Sequence, residues 1–206
     1  MSVTLIIILV TVLFSMAAWR EPSMFEKYSF KPYRVKKYKE YFRFFSSTFL
    51  HANWTHLLFN LVTLFSFGPA IEQMFSMVKG GSGWIYYLAL YISAMVISEL
   101  GTFIKYRNES RYASIGASGA VSAVLFSAIW FNPTKPILVM FIPMPGFAFG
   151  AIYLLYTAWA AKNDYSGQIN HDAHFYGSTW GVLFTMLICP QSIWHFFDSL
   201  ASFRLF

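Results

Sequence analysis

Apolar residues are concentrated in six segments of the chain, separated by stretches rich in polar residues, glycine or proline. The segments are roughly Val3–Trp19, Trp54–Met77, Trp84–Ile104, Ile115–Phe131, Gly146–Ala161 and Phe175–Ile193. Each is close to the roughly 20 apolar residues that a helix needs to cross a bilayer. The first segment lacks a basic leading region, so we interpret it as a retained span and not as a cleaved signal peptide. The pattern predicts an all-α membrane protein with six transmembrane helices.

The composition agrees with a membrane location. Hydrophobic residues make up 57% of the 206 residues and charged residues 12%, which is about half of the ~25% typical of a soluble domain. The length suits one domain, so we expect residues 1–206 to form a single six-span domain. The lone cysteine, Cys189, lies in an apolar run and is expected to be a buried apolar residue.

The loop between the first two segments, residues 20–50, mixes basic and aromatic residues. The basic residues are Arg20, Lys27, Lys31, Arg34, Lys36, Lys37, Lys39 and Arg43, and Tyr28, Tyr33, Tyr38, Tyr41 and Phe42 lie among them. This mixture suits the headgroup layer of a membrane, so the loop is predicted to lie on the membrane surface. A net charge of +6 could also indicate nucleic acid. Because the basic residues adjoin membrane spans, we expect a lipid bilayer and no nucleic acid as partner.

Polar residues that are unusual for a membrane segment fall on one side of the predicted bundle. We call the side of the chain's amino terminus side A and the opposite side B. With six spans, the second, fourth and sixth begin on side B. Near these three starts lie His51, His56, Asn60, Ser118, His171, Asp172 and His174. Ionisable residues within a membrane are functional candidates, so a site is predicted on side B.

Small residues predict that the fourth and sixth spans pack closely. A small residue recurs at every fourth position beside Ser118 and again beside His174. These residues are Gly119, Ala123 and Ser127 on the fourth span, and Ala173, Gly177 and Gly181 on the sixth. Small residues at this spacing allow two membrane helices to approach each other. The approach would bring Ser118 next to His174.

This pair suits nucleophilic catalysis. A serine hydroxyl becomes a strong nucleophile when a base takes its proton, and a histidine is neutral enough near pH 7 to do so. The tetrahedral intermediate then needs donors for its oxyanion, which the backbone N–H of Ser118, the Asn60 amide and the His56 ring could supply. Asp172 lies two residues before His174 and points to another helix face, so we predict a Ser–His dyad.

These motifs resemble those of the rhomboid intramembrane serine proteases, and the resemblance covers all six spans. "HANWTHLLFN" resembles the second-helix motif, "GASG" the nucleophile motif and "AHFYGSTWG" the sixth-helix motif. The resemblance implies that Ser118 is the nucleophile, that His174 is the base, and that the Gly177 and Gly181 positions serve close packing. It assigns supporting positions to His51, Gly116, Gly119, Arg43 and Glu72.

The chain departs from the family pattern at two positions. Ser122 stands four residues after the nucleophile, where many members place an aromatic ring that stacks on the base. Phe42 stands before Arg43, where the family often has tryptophan. For His51, a hydrogen bond that fastens a loop and a contact in catalysis are both open.

Two other functions remain as alternatives. Four of the five histidines, all but His195, gather on side B with Asp172, as in a histidine-cluster metal enzyme. However, the His-Glu-x-x-His motif of zinc proteases is absent from the sequence, and we expect neither metal nor cofactor. A non-enzymatic relative that binds membrane segments would usually have lost the serine or the histidine, and both are present.

Charge and family resemblance predict opposite orientations. Side B carries 12 basic residues and side A three, so the positive-inside rule would place side B in the cytoplasm. The resemblance implies an active site on the extracytoplasmic side of the cell membrane. We follow the resemblance, because a loop that folds onto the membrane surface need not act as a simple topogenic signal.

The expected partners are single-span transmembrane proteins. A transmembrane helix has its carbonyl groups hydrogen-bonded, so a substrate must unwind locally before a nucleophile reaches one. Glycine or proline near the side-B end lowers that cost. Gly119 and Ala123 line the face of Ser118 and Ser122, so the residue before the cut is expected to be small.

Overall fold

The computed structural model describes residues 2–139, 142–163 and 169–204, which are mostly helical. The helices are α1 (Val3–Arg20), α2 (Ser23–Tyr28), α3 (Pro32–Tyr38), α4 (Arg43–Ser46), α5 (Trp54–Lys79), α6 (Gly83–Tyr106), α7 (Ser118–Phe131), α8 (Gly146–Asn163), α9 (His171–Ile188) and α10 (Ser192–Ala201), with 3-10 turns at Ser47–Phe49 and Gly80–Ser82. Two short strands between α7 and α8, β1 (Pro136–Val139) and β2 (Ile142–Pro145), pair in antiparallel orientation.

Each of the six apolar segments contains an α-helix, and the largest differences from the predicted boundaries are at the two ends of the sixth. The sixth helix begins at His171, four residues earlier than predicted, because the Asn170 side chain accepts the Ala173 N–H and caps it. It ends at Ile188, two residues before Pro190, and the chain then bends by 113° into α10. Pro190 has no backbone N–H to donate to a carbonyl one turn earlier, which explains why the sixth helix ends before it.

Length and composition identify some of these helices as membrane spans. Two helical stretches among the described residues are long and apolar enough to cross a membrane: Val3–Arg20 and the 53 residues Trp54–Tyr106. The second stretch comprises α5 and α6, which fold back on each other at Gly83, where a Cβ would overlap the backbone of Ser76. The bent pair of α9 and α10 would make a third span. A mostly helical membrane protein is therefore confirmed, and the number of six crossings stays a prediction.

Helix α7 lies at the centre of the bundle. All of its residues except Ser118 and Ala128 are buried, and it contacts α5, α6, α8, α9 and α10. A helix that is apolar on all sides is expected in such a position. Its buried polar side chains are paired, as where Ser127 Oγ lies 2.6 Å from Thr185 Oγ1 of α9.

Helices α7 and α9 run parallel with their backbones in contact. A Cβ added at Gly177 would overlap the carbonyl oxygen of Gly119, and one added at Gly181 would overlap that of Ala123. From the first contact to the second, the position moves four residues towards the carboxyl terminus on both helices, so the two helices are parallel. The close approach aligns the amino-terminal ends of α7 and α9.

Helices α1 and α5 run antiparallel and are joined at their side-A ends. The Glu72 carboxylate of α5 accepts hydrogen bonds from Ser2 Oγ at 2.6 Å and from the Val3 N–H at 3.0 Å. These donors lie at the start of α1, where backbone N–H groups lack helical acceptors and the helix dipole favours a negative charge. Thr4 Oγ1 extends the contact to the Tyr87 hydroxyl of α6 at 3.0 Å.

The surface segment, residues 21–53, is fastened by buried rings and by an ion-pair cluster. Phe30, Val35 and Phe44 form a small core against α6. Glu40 accepts hydrogen bonds from Arg34 at 2.8 and 2.6 Å and from Arg43 Nε at 2.5 Å. The hydrogen bond from Arg34 and that from Arg43 together lower the pKa of Glu40 to about 2 despite partial burial.

The approach of α7 and α9 can be tested with matched alanine substitutions. Gly181→Ala should lower the melting temperature, because overpacking costs about 1–3 kcal/mol and ~1 kcal/mol corresponds to about 2–4 °C in a chain of this size. Gly150→Ala is the control: its Cβ would lie at an ordinary 3.5 Å from Ile129 Cγ2, and alanine favours a helix. Thermal unfolding in detergent micelles measures both, and equal melting temperatures would contradict the contact.

The ion-pair cluster should give a pH-dependent stability. The native pKa of Glu40 lies below the ordinary glutamate value, so the ionised pair stabilises the fold above about pH 4.3 and loses this effect as the pH falls towards 2. Glu40→Gln should lower the melting temperature at pH 7, with a difference from wild type that shrinks on acidification. The exposed control Glu109→Gln should show no such trend. A difference that stays constant from pH 7 to pH 3 would contradict the ion pair's role.

Candidate active site

A cleft of about 930 Å³ opens between α5, α7, α8 and α9 on side B. Its lining includes four residues that the sequence predicted for one site: His56 and Asn60 of α5, Ser118 of α7 and His174 of α9. These residues come from three helices that are far apart in sequence, and the parallel packing of α7 and α9 brings Ser118 and His174 to a similar depth. Ser118 is only partly buried, so its hydroxyl is accessible from the cleft.

Ser118 begins α7 directly after a tight turn. Gly116 has a φ of 123°, a conformation that other residues rarely adopt. A Cβ at Gly116 would lie 2.7 Å from Cε1 and Nε2 of His56, so the His56 ring packs on this glycine. The Gly116 N–H donates to the Ser47 carbonyl at 3.0 Å and anchors the turn to the surface segment. Glycine is required here both by the backbone conformation and by the ring.

His51 lies outside the cleft lining and holds the same turn from behind. The ring is fully buried, and its Nε2 accepts the Ala117 N–H at 3.4 Å. Ser15 Oγ donates to the Phe49 carbonyl at 2.8 Å and lies 3.0 Å from Nδ1 of His51, which assigns the ring proton to Nδ1. Burial lowers the pKa of His51 to about 3, which keeps the ring neutral. Of the two expectations for His51, these contacts favour fastening of the loop.

Donors for a developing negative charge surround Ser118. Asn60 lines the cleft, and its amide nitrogen donates one hydrogen to the His56 carbonyl at 2.9 Å, while an amide carries two. Asn53 caps α5 by accepting the His56 N–H at 2.9 Å, which fixes the first turn that carries the His56 ring. The Ser118 N–H lies in the first turn of α7 and has no acceptor within the helix. Together these groups form an arrangement that could bind an oxyanion.

His174 is held by its own helix and by an aromatic ring. Its N–H donates to the Asn170 carbonyl at 3.2 Å. Its ring stacks on Tyr153 of α8, with ring centroids 6.2 Å apart and planes at 15°. The Tyr153 hydroxyl lies 3.3 Å from Ser122 Oγ. The sequence analysis missed Tyr153, although Phe149 and Tyr153 are four residues apart on one helix face and both line the cleft.

Asn170 is a second cleft residue that the sequence analysis missed. Its Oδ1 accepts the Ala173 N–H at 3.1 Å and the Thr102 hydroxyl at 2.8 Å. Its Nδ2 donates to the buried carboxyl group of Glu99 in α6 at 3.0 Å. Asparagine just before a helical segment is a typical cap, and this signal could have placed the start of α9 correctly.

The remaining polar residues of side B lie around the cleft. Asp172 forms an ion pair with Lys105 of α6 at 3.3 Å. His171 is buried at the start of α9, where its ring contacts Tyr156 and lies 6.2 Å from that of His174. Across the described ranges, no group of three or more histidine, cysteine, aspartate or glutamate residues is arranged to hold a metal ion.

Comparison with known proteins gives consistent matches. A family model described as the rhomboid domain matches residues 38–191. The chain is 30% identical over 154 residues to the rhomboid YdcA of Bacillus subtilis (strain 168), which covers 74% of this chain and 69% of that protein. It is 33% identical over 144 residues to the mitochondrial rhomboid protein 1 of Saccharomyces cerevisiae, covering 67% and 39% of the two chains. It is 30% identical over 143 residues to the human mitochondrial presenilin-associated rhomboid-like protein, covering 66% and 35%. The chain thus spans well under half of these two mitochondrial relatives.

Proposed function

The chain belongs to the rhomboid family, and on this basis we propose that it is an intramembrane serine endopeptidase that cleaves single-span membrane proteins. The observation that carries the proposal is that Ser118 and His174 line one cleft, on helices whose backbones touch. Family membership supports a protease of the rhomboid type. The dyad, the oxyanion donors and the substrate class are our proposals from the cleft.

The reaction begins with the attack of Ser118 Oγ on a substrate carbonyl carbon. His174 takes the hydroxyl proton as the new C–O bond forms, and the carbonyl electrons move to oxygen. The tetrahedral intermediate then collapses, the peptide C–N bond breaks, and His174 gives its proton to the leaving amine. A water molecule, activated by the same histidine, attacks the ester and releases the new carboxyl group and Ser118.

The oxyanion is bound by three groups. The Ser118 N–H, the second hydrogen of the Asn60 amide and the His56 ring donate to it. The first lies at a helix start, where the dipole also favours negative charge. The packing of Gly116 on the His56 ring keeps that ring beside the nucleophile. Because these donors are already oriented in the fold, they stabilise the transition state without reorganisation.

The substrate enters from the lipid between α5 and α8. Phe59 of α5 and Phe149 and Tyr153 of α8 line this part of the cleft, and Phe59 is 73% exposed. A substrate helix unwinds there so that its carbonyl reaches Ser118, which favours substrates with glycine or proline near the cut. The ring of Tyr153, bound to Ser122, limits the room beside the nucleophile. We therefore propose a small residue before the scissile bond.

The topology and the location are also proposals. We propose that α1 and α5 to α9 each cross the bilayer within one domain, residues 1–206. The antiparallel α1 and α5 and the parallel α7 and α9 support this arrangement. The family is integral to membranes, and the cleft is proposed to open on the extracytoplasmic side of the cell membrane. Two of the relatives carry mitochondrial names, so expression in cells with labelled compartments decides the location.

The nucleophile is tested with Ser118→Ala. This variant should keep its melting temperature but lose both the cleavage of a single-span substrate and the covalent labelling by a fluorophosphonate probe. Ser199→Ala, at a serine of α10 remote from the cleft, is the control and should behave as wild type. Retained cleavage by Ser118→Ala that a chelator abolishes would establish a metal enzyme instead. Binding of membrane segments without cleavage or labelling by wild type would indicate a non-enzymatic relative.

The oxyanion role of Asn60 predicts a loss in kcat. Removing one such donor typically lowers kcat by about 10²–10³, so Asn60→Ala should do so with little change in KM. Asn163→Ala is the matched control. The Asn163 amide also donates to a carbonyl of its own helix, that of Trp159 at 2.7 Å, but it lies outside the cleft. Steady-state cleavage in micelles measures both variants. An unchanged kcat in Asn60→Ala would remove Asn60 from the mechanism.

A further inference from the structure

We infer that Tyr153 is the positioning residue of His174: its ring, supplied by α8, holds the imidazole in the orientation that Ser118 requires. This inference rests on the proposed function. Helix α8 contributes neither member of the dyad, but through Tyr153 it orients the base.

The His174 ring needs a neighbour that fixes its orientation. The backbone bond to Asn170 orients the helix but not the imidazole. Asp172, the nearest carboxylate on α9, is engaged with Lys105. Two rings lie beside the imidazole, each with its centroid 6.2 Å away. The His171 ring, from the same helix, meets it nearly edge-on at 77°, whereas the Tyr153 ring, from α8, lies nearly parallel to it at 15°. Aromatic rings prefer such offset stacking, which restricts rotation about the side-chain bond.

The Tyr153 ring is itself held in place by its neighbours. Phe126 of α7 and Phe149 of α8 pack against it, each with ring centroids 5.5 Å away. Its hydroxyl is within hydrogen-bonding distance of Ser122 Oγ at 3.3 Å. A ring held at its edge and at its tip can serve as a rigid support for the imidazole.

Ser122 and Tyr153 are complementary in size. Ser122 is one helical turn after the nucleophile, on the same face of α7, and it is buried. A large side chain at this position would occupy the space that the Tyr153 hydroxyl fills. The chain thus has a small residue on α7 and an aromatic ring on α8. A ring at position 122 with a small residue at position 153 would fill the same space. The support for the base therefore depends on the seating of α8 against α7 and α9.

The first experiment compares the variants Tyr153→Leu and Tyr153→Phe. A misplaced catalytic group can cost about 10²-fold in rate, so Tyr153→Leu should lower kcat and the fluorophosphonate labelling rate by about 10–100-fold, a larger effect than its change in KM. Tyr153→Phe keeps the ring but removes the hydroxyl contact with Ser122, so it should lose clearly less kcat than Tyr153→Leu. Trp159→Leu, which removes an exposed ring from the same helix, is the control. A Tyr153→Leu variant with wild-type kcat overturns the inference.

A second substitution tests whether the Tyr153 ring positions His174 or only fills space. In Tyr153→Leu, the added substitution Ser122→Phe supplies a ring from α7 and should recover most of the lost kcat. A packing defect alone would instead follow the melting temperature and would not recover. Absence of recovery in a double variant that melts like wild type overturns the inference.

A readout without activity distinguishes this inference from the proposed function. Diethylpyrocarbonate modifies exposed imidazoles, and mass spectrometry of peptides reports the rate at His174. The rate should rise in Tyr153→Leu but not in Tyr153→Phe or Trp159→Leu, also in the Ser118→Ala background. Equal rates in all variants would overturn the stacking role even if the protease is active. A wild type without cleavage or labelling would refute the proposed function, while the modification rates still decide whether Tyr153 covers the ring.

Discussion

The contact between the backbones of α7 and α9 is the constraint on which the site depends. It exists because Gly177 and Gly181 have no side chains where they meet the carbonyl groups of Gly119 and Ala123. In a membrane, helices gain little from hiding apolar surface, and close van der Waals packing with interhelical hydrogen bonds takes over. The bond between Ser127 and Thr185 continues the same seam. Two helices that touch along one line hold their first turns in a fixed relation, and Ser118 and His174 lie in those turns.

The other elements act on this pair from outside. The surface segment and α1 hold the turn before Ser118 through Ser47 and His51. Helix α6 ties down the start of α9 through Glu99 and Asn170. Buried polar groups are costly in an apolar environment unless they are bonded, and each of these contacts satisfies such groups while it positions the site. The polar residues that the membrane would otherwise disfavour are those that hold the cleft together.

The sequence predicted the parts of the structure that depend on local pattern. Apolar length located the helices, and the spacing of small residues indicated the seam between α7 and α9. It could not predict Tyr153 as the neighbour of His174, because the spacing of Phe149 and Tyr153 indicates only a shared helix face, while the contact depends on how α8 packs. The strand pair β1 and β2 and the helix α10 were also missed, since four-residue strands and a bend after Pro190 give weak periodicity. The start of α9 was placed too late because the apolar pattern outweighed the asparagine cap.

Helix α1 is attached at both ends: Thr4 contacts Tyr87 near one membrane surface, and Ser15 contacts His51 near the other. Buried positions Thr4, Ile7, Thr11, Ser15 and Ala18 form one face between these attachments. Each inserted or deleted residue would rotate that face by about 100° and shift it by ~1.5 Å, so that both attachments could not be made at once. The outward face carries no such restriction, since Leu9 and Leu13 are more than half exposed. In evolution, α1 is therefore free to exchange its lipid-facing residues but not to change its length, because its register is transmitted through His51 to the turn before Ser118.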